Sequence, residues 1–282
     1  MKKILVTGAT GQLGSELKVI AQKQQEFEWV FADRSLVSLD NLQVLQSQLE
    51  RIQPDIIFNC GAYTAVDKAE TEQELADVVN HLAVGYIAQY AAENSVKLIH
   101  ISTDYVFDGN SALPLNEEAP TNPINTYGAT KRAGELACLA NNPNAIILRT
   151  SWVYSTFGNN FVKTMQRLMQ DRDSISVVND QIGTPTYAAD LAQAMLIIVQ
   201  TPKWIPGIYH YSNEGEISWY DFALAIKELG GYTCEVNGIP SEAYPTPAKR
   251  PFYSLLDKTK IKKTYKVEVP DYKESLAICL KR

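Results

Sequence analysis

Three evenly spaced glycines follow the first apolar run of the chain and constrain its fold more than any other feature. They are Gly8, Gly11 and Gly14, in the stretch TGATGQLGSEL that comes directly after KKILV. The apolar run is typical of a buried strand, and the pattern after Gly11 predicts a helix. Such glycines let the backbone turn tightly and approach a pyrophosphate, whose charge the helix N-terminus stabilises. The alternative is a tight turn without a ligand, but the strand–turn–helix context favours dinucleotide binding.

Short apolar runs alternate with longer amphipathic stretches through the first half of the chain. The pattern predicts strands at residues 2–8, 28–34, 54–62, 96–102 and 144–154, and helices at residues 11–25, 40–53, 74–95 and 127–139. This order indicates βαβ units with right-handed crossovers around a parallel sheet. The predicted fold class is therefore α/β, a Rossmann-type doubly wound parallel sheet with a smaller C-terminal substrate-binding region.

The second half of the chain is less regular. Prolines cluster in residues 239–253, which excludes a central strand or a helix interior and predicts an ordered loop. We expect a dinucleotide-binding domain at residues 1–150, completed by part of residues 175–210. Residues 151–282 are then mainly a substrate-binding region, interleaved with the first domain.

Charge and composition exclude several classes of partner. The 282 residues carry a formal net charge of −6, which argues against a nucleic-acid partner because phosphate backbones need a basic face. Four widely spaced cysteines and three histidines argue against a zinc site. The first apolar run is too short for a signal peptide, and no apolar stretch approaches the roughly twenty residues that span a bilayer. We expect a cytoplasmic protein with reduced thiols and no membrane partner.

A tyrosine and a lysine stand four residues apart in the stretch PINTYGATKRAGE. On a helix, Tyr127 and Lys131 would lie on one face, one turn apart. An ammonium near a phenol stabilises the phenolate, so we expect the pKa of Tyr127 to fall below its reference value of about 10. The alternative is an exposed aromatic residue and a solvated lysine on a surface helix.

The predicted fourth strand ends in polar side chains. Ser102, Thr103 and Asp104 lie where ligands gather in an open parallel sheet, at the carboxyl ends of the strands. The helix with Tyr127 and Lys131 begins about twenty residues later and can pack against the same edge. A hydroxyl, a phenol and an ammonium would then converge, which suits carbonyl–alcohol redox chemistry. In this interpretation Thr103 holds the oxygen, Tyr127 moves the proton and Lys131 tunes Tyr127.

The end of the second strand should reach the adenosine ribose of a dinucleotide. Asp33 there favours the free 2'-hydroxyl of NAD, whereas the adjacent Arg34 can meet the 2'-phosphate of NADP. We expect NADPH, with NADH tolerated. The predicted cofactor-binding residues are Gly8, Gly11, Gln12, Leu13, Gly14, Asp33, Arg34, Asp40, Asn41, Ala62, Tyr63, Thr64, Tyr127 and Lys131.

These features resemble the short-chain dehydrogenase/reductase superfamily, in its extended branch that acts on nucleotide-sugars. Further blocks resemble the dTDP-4-dehydrorhamnose reductase family. They are NCGAYTAVDKAE (59–70), STDYVFDG (102–109), NTYGATKRAGE (125–135), RTSWVY (149–154), GNNFVKTM (158–165), VVNDQIGTPT (177–186) and YPTPAKRPFYSLLD (244–257). With the N-terminal turn they cover nearly the whole chain. The glycine turn and Y-x-x-x-K mark only the superfamily, whereas AVDKAE, STDYVF, SWVY and NDQ-G-PT are more specific.

The resemblance implies a concrete reaction. NAD(P)H would deliver hydride to C4 of dTDP-4-dehydro-L-rhamnose, giving dTDP-L-rhamnose for cell-surface polysaccharide. Tyr127 would be the proton donor, Lys131 would bind the nicotinamide ribose, and Thr103 would support the tyrosine.

The resemblance also implies the substrate-binding residues. Besides Thr103, Asp104 and Trp152 would contact the sugar, and Asn160 and Gln181 lie in blocks that resemble the nucleotide-sugar side. The alternatives are a buried core indole for Trp152 and loop hydrogen bonds for Asn160 and Gln181.

One departure from the family concerns metal. Family members are described with magnesium bridging a dimer through glutamates. Glu16 matches the first, but Ala189 stands at the second position and Asp190 follows one residue later. On a helix that shift turns a side chain by about 100 degrees. We therefore expect no metal site, and the departure leaves a homodimer open.

Two other functions stay open. A nucleotide-sugar dehydratase would carry an acid pair after the threonine, but Tyr105 follows Thr103 and Asp104; an epimerase of the same branch is the related alternative. The second is a non-catalytic NADP-binding regulatory subunit, against which the intact Thr103, Tyr127 and Lys131 argue. The residues do not decide between dTDP and UDP, nor the stereochemistry at C4.

Overall fold

The computed structural model describes residues 1–282. Its strands are β1 (Lys2–Thr7), β2 (Phe27–Ala32), β3 (Ile56–Asn59), β4 (Lys97–Thr103), β5 (Ile146–Thr150), β6 (Val153–Tyr154), β7 (Ser174–Val178), β8 (Ile182–Gly183), β9 (Thr186–Tyr187), β10 (Gly207–His210), β11 (Ile217–Ser218) and β12 (Glu235–Ile239). Six of them form one parallel sheet in the order β10-β5-β4-β3-β1-β2. The predicted doubly wound α/β fold is confirmed.

The helices connect these strands as the alternating pattern predicts. They are α1 (Gln12–Ala21), α2 (Leu42–Ile52), α3 (Val66–Ala69), α4 (Gln73–Asp77), α5 (Ala83–Glu93), α6 (Thr126–Asn141), α7 (Phe161–Asp171), α8 (Ala188–Gln200), α9 (Trp219–Gly230), α10 (Thr259–Tyr265) and α11 (Tyr272–Leu280). The predicted helix at 74–95 contains a π-helical turn, Val78–Leu82, between α4 and α5. None of the helices combines the length and the apolar character needed to cross a bilayer.

Two apolar cores cover the two faces of the sheet. Ile4 and Val6 belong to the core that includes residues of α1 and α8. Leu5, between them, belongs to the core that includes residues of α2, α5 and α6. Successive strand side chains point to opposite faces, and both faces are buried. This is why the central strands read as continuous apolar runs rather than as alternating ones.

The stretch predicted as one strand at 144–154 is interrupted. Strand β5 ends at Thr150, and β6 pairs with β9 in a separate two-stranded sheet. Between them Trp152 adopts a left-handed backbone with φ of 48°. That conformation cannot continue an extended strand, so the chain leaves the central sheet at this point.

A third apolar core lies in the C-terminal part, among residues of α7, α9 and α11. Residues 244–257, called here the C-terminal strap, return from this part to the central sheet's carboxyl edge. Tyr253 forms bridges with Asn110 and with Ile182, and Leu256 with Leu115. Most of the proline-rich segment 239–253 is loop, with a 3-10 turn at Ser241–Ala243, as predicted.

Candidate active site

The glycine turn joins β1 to α1 and has two kinds of glycine. Gly8 has φ of 64°, and a Cβ there would lie 2.7 Å from Gly61 Cα. A Cβ on Gly14 would lie 2.5 Å from Gly8 O. At Gly11 the nearest atom would be 3.2 Å away, so that position is less crowded. Gly11 precedes α1 without a side-chain cap, which leaves the first amide groups of the helix available to an anion.

Asp33 and Arg34, which follow β2, differ in their partners and therefore in their roles. Asp33 Oδ1 accepts hydrogen bonds from Ser35 N at 2.9 Å, Ser35 Oγ at 2.6 Å and Leu36 N at 3.2 Å. These bonds, that from the Ser35 hydroxyl foremost, lower the pKa of Asp33. Arg34 has a side chain 79% exposed and pairs with Asp40. Asp33 thus organises the turn, while the guanidinium of Arg34 is accessible to a 2'-phosphate.

The segment after β3 is fixed by a residue that sequence reasoning missed. Buried Asn80 accepts from Tyr63 N at 2.9 Å and donates to Tyr63 O at 3.0 Å. Its amide also donates to Thr130 Oγ1 on α6 at 3.2 Å. Asn80 lies in the π-helical turn, a feature frequent at functional sites, and it ties residues 62–64 to the helix of Tyr127. The local sequence pattern around Asn80 does not predict this link to Tyr63 and Thr130.

Helix α6 carries Tyr127 and Lys131, and its start is held on two sides. Asn125 caps it by accepting from Gly128 N at 2.7 Å. The Glu70 carboxylate accepts from Thr126 N at 2.8 Å. A Cβ on Gly128 would lie 2.2 Å from Tyr105 O, so α6 packs tightly against the chain that follows β4. The predicted helix and the convergence on this edge of the sheet are both found.

Lys131 is buried, and its Nζ donates to Ile101 O at 2.6 Å. Burial lowers the pKa of Lys131 to about 8, opposed by the negative charge of Glu135 one turn along α6. Glu135 itself accepts from Arg149 Nε and Nη2, both at 2.8 Å. Glu135 therefore carries a buried negative charge one helical turn from Lys131, and the guanidinium of Arg149 compensates that charge. The solvated-lysine alternative is wrong.

The pKa of Tyr127 moves opposite to the prediction. Burial of the phenol raises the pKa of Tyr127 to about 12, with a hydrogen-bonding contribution from Thr103 that lowers it and a repulsion from Asp104 that raises it. The ammonium of Lys131 is instead bonded to the Ile101 carbonyl. The spacing placed both residues correctly on the helix, but desolvation decides the direction of the shift.

Thr103 ends β4 and Asp104 follows it, and both lie beside Tyr127. Thr103 Oγ1 donates to Asp104 Oδ1 at 3.1 Å, and Ser254 Oγ donates to Asp104 Oδ2 at 2.6 Å. Burial raises the pKa of Asp104 to about 6 despite these bonds. Ser254 belongs to the strap and was not predicted, because it lies 150 residues away in sequence.

The strap is fastened beside the same site by a charge pair. Arg250 Nη1 and Nη2 donate to Asp67 Oδ1 and Oδ2 at 2.7 and 2.8 Å. Asn125, the cap of α6, donates to Lys249 O at 2.7 Å. The first contact joins the strap to α3, and the second joins it to the start of α6, the helix that carries Tyr127. Asp67 lies in the family block 59–70 and Arg250 in the block 244–257, so the family resemblance was the available signal for them.

The remaining predicted substrate residues differ in their surroundings. Trp152 is partly exposed and stacks on Trp219 with ring centroids 3.7 Å apart. Asn160 caps α7 and donates to Ser155 O at 2.7 Å and to Gln12 Oε1 at 2.9 Å. Gln181 donates to Ser241 Oγ at 2.8 Å. The latter two make the loop hydrogen bonds that were the alternative interpretation.

Comparison with known proteins identifies the family of this chain. The family model described as RmlD substrate binding domain matches residues 1–282. A dTDP-4-dehydrorhamnose reductase of Aggregatibacter actinomycetemcomitans is 40% identical, over 98% of this chain and 97% of its own. This chain belongs to the dTDP-4-dehydrorhamnose reductase family.

Two solved structures of the family are similar along their whole length. A dTDP-4-dehydrorhamnose reductase of Clostridium acetobutylicum is 38% identical with a TM-score of 0.95, covering 99% of this chain and 98% of its own. The enzyme of Bacillus anthracis, solved in complex with NADP, is 38% identical with a TM-score of 0.94, covering 100% and 99%. The family fold therefore extends over this entire chain.

The magnesium implied by the dTDP-4-dehydrorhamnose reductase family does not fit the acids of this chain. Glu16 is 1% exposed and accepts from Ser155 Oγ at 2.7 Å and from Arg282 Nη1 at 3.0 Å. Asp190 Oδ2 accepts from Asn213 Nδ2 at 2.7 Å and Ser275 Oγ at 2.5 Å. A guanidinium already neutralises Glu16, and no group of three or more His, Cys, Asp or Glu side chains could hold a metal ion.

Proposed function

We propose that this chain catalyses the NADPH-dependent reduction of the C4 keto group of dTDP-4-dehydro-L-rhamnose to dTDP-L-rhamnose. The observation that carries the proposal is the convergence of Thr103, Tyr127 and Lys131 at the edge of the sheet that also bears the glycine turn. The relatives with this name and near-complete coverage support the choice of substrate.

The reactive groups have protonation states that suit reduction. A Tyr127 pKa of about 12 keeps the phenol protonated near neutral pH, and a proton donor must begin in that form. When bound, reduced nicotinamide would supply a hydride to C4, and the electron pair of the carbonyl would then move to oxygen. Tyr127 donates its proton to that oxygen, Thr103 holds the oxygen in place, and solvent returns the proton to Tyr127.

The cofactor would be held by this chain's own donors. The N-terminus of α1 would hold the pyrophosphate, and Gly11 carries no side chain that would block it. Lys131 binds the nicotinamide ribose, and a pKa near 8 leaves it mostly charged at neutral pH. Arg34 is accessible for the 2'-phosphate, which favours NADPH over NADH. The complex of the Bacillus anthracis relative with NADP supports the same preference.

The proposal also assigns a role to each of the two domains and a cellular compartment to the enzyme. Residues 1–150, with part of 175–210, form the cofactor domain, and residues 151–282 supply most of the substrate side, including Trp152. Four free cysteines support a cytoplasmic enzyme, because reduced thiols persist in that compartment.

The test is NADPH oxidation by the purified protein with dTDP-4-dehydro-L-rhamnose, followed by absorbance, with the product identified by NMR. We expect stoichiometric formation of dTDP-L-rhamnose. UDP-linked and C4-epimeric sugars in parallel assays define the nucleotide and the stereochemistry. A protein that binds NADPH but oxidises none of it with any of these sugars would instead be a regulatory subunit.

A further inference from the structure

The backbone of Trp152 is held in a conformation that a tryptophan rarely adopts. Its φ of 48° lies in the left-handed region, where the side chain of an L-residue crowds its own backbone. The residue follows β5 at the carboxyl edge of the sheet, and its carbonyl accepts from Thr186 N at 3.2 Å. Such strain persists only where the surrounding structure fixes it, and it concentrates at functional sites.

Trp219, which no family block contains, lies flat on this indole. The two ring centroids are 3.7 Å apart and the planes differ by 14°. Phe161 packs on Trp219 at 4.7 Å. Trp219 opens α9, whose N-terminus is fixed by a capping box between Ser218 and Asp221. The partner of Trp152 is therefore itself held rigidly.

Gly183 packs against another part of the Trp152 indole. A Cβ there would lie 2.9 Å from Trp152 Cζ2 and 3.3 Å from Ser254 Oγ. Ser254 Oγ in turn donates to Asp104 Oδ2 at 2.6 Å. The indole of Trp152 is thus linked through Gly183 and Ser254 to the carboxylate beside Thr103, on the substrate side of the site.

We propose that Trp219 is a positioning residue that stacks on Trp152 and holds its indole as an apolar wall for the deoxysugar ring. Trp219 acts through Trp152 and determines affinity for the sugar nucleotide rather than the rate of hydride transfer. The inference rests on the proposed function, because the ligand of the wall is the substrate of that reaction. Its geometric part, the fixed indole pair, can be measured without any substrate.

The first experiment is far-ultraviolet circular dichroism of the full chain. Two stacked indoles couple their transitions and give an exciton couplet. We expect the couplet in the native protein and in Trp204→Phe, a control whose indole packs under Lys97 instead. We expect its loss in both Trp219→Phe and Trp152→Phe. A native spectrum without the couplet overturns the inference, whatever the activity.

The second experiment separates positioning from general damage. In Trp219→Ala we expect the KM for the dTDP-sugar to rise about fivefold to tenfold, the scale of an aromatic pair. We expect kcat and the NADPH dissociation constant to stay unchanged, as for a lost uniform binding interaction. Trp219→Phe should recover most of the affinity, because a second ring still covers Trp152.

Three results would count against the proposal. An unchanged KM in Trp219→Ala removes the positioning role. A parallel loss of kcat and NADPH affinity, with a lower melting temperature in Trp219→Phe as well, assigns Trp219 to folding alone. A native protein that shows the couplet but turns over no 4-keto sugar sinks the proposed function and the substrate role of the pair, while the stacked geometry stands.

Discussion

The glycine turn draws on one continuous stretch, residues 7–17, whereas the substrate side draws on residues scattered from Asp67 to Ser254. In the turn, the critical contacts are between backbone atoms, such as the approach of Gly14 to Gly8 O. On the substrate side they are between side chains far apart in sequence, such as Asp67 and Arg250, 183 residues apart. The first region therefore depends on the absence of side chains, and the second on their pairing. Cofactor binding and substrate binding should accordingly fail independently under mutation.

The largest effect is expected where the two regions meet. Tyr127→Phe removes the proton donor but leaves the backbone contacts of the glycine turn and the bonds of the strap in place, so turnover should fall by about a hundredfold or more. The dissociation constants of NADPH and of the sugar nucleotide should stay unchanged, as measured by titration. Tyr86→Phe, an exposed tyrosine on α5, is the matched control. Near-normal turnover in Tyr127→Phe would contradict the proposed role.

The next effect should be confined to the turn. Gly11→Val places a branched side chain where the pyrophosphate approaches, and the loss of one charge-assisted contact predicts NADPH binding about 10- to 100-fold weaker. Its melting temperature should stay near the native value, because Gly11 is less crowded. Gly14→Ala is the contrasting variant and should melt lower, since its Cβ would lie 2.5 Å from Gly8 O. An unchanged NADPH dissociation constant in Gly11→Val would remove the turn as the binding site.

A smaller effect should distinguish the two cofactors. Arg34→Ala removes the guanidinium available to the 2'-phosphate, so the KM for NADPH should rise about tenfold. The KM for NADH should hardly change, because NADH lacks that phosphate. Arg51→Ala, on α2, controls for the lost charge. Equal changes for NADPH and NADH would reject Arg34 as the reader of the phosphate.

The converse test acts on the substrate side alone. Asp67→Asn breaks the bidentate pair with Arg250 that fastens the strap, so the KM for the sugar nucleotide should rise about fivefold, the scale of a partly exposed ion pair. The NADPH dissociation constant should not change. Asp77→Asn, in an exposed pair with His81, is the control. A weakened NADPH affinity in Asp67→Asn would show that the two regions are coupled after all.

No effect is expected from chelation. Glu16 is neutralised within the chain by Arg282, and Asp190 is bonded to Asn213 and Ser275. Dialysis against EDTA should leave turnover unchanged, and light scattering should give the same mass before and after. A dimer that EDTA separates and magnesium restores would mean that Asp190 or another acid completes a bridging site.

The sequence by itself determined the parallel α/β sheet, the glycine turn and the helix with Tyr127 and Lys131. Each depends on local information: apolar periodicity, glycine spacing, or two positions one helical turn apart. The polar end of the fourth strand added Thr103 and Asp104 as candidates, and the family-specific blocks added Trp152. These features can be predicted from the sequence because each depends only on the conformations that neighbouring residues permit.

Only the tertiary structure decided which side chains meet and what their surroundings do to them. It reversed the predicted pKa shift of Tyr127, because desolvation and the Asp104 carboxylate raise that pKa while the Lys131 ammonium is bonded to the Ile101 carbonyl instead. It showed that Asn160 and Gln181 make loop hydrogen bonds, and their contact with the sugar nucleotide stays a prediction. It also brought Asn80, Ser254 and Trp219 to the site from distant parts of the chain. Burial and long-range contact have no signature in a local stretch, since both depend on how the whole chain packs.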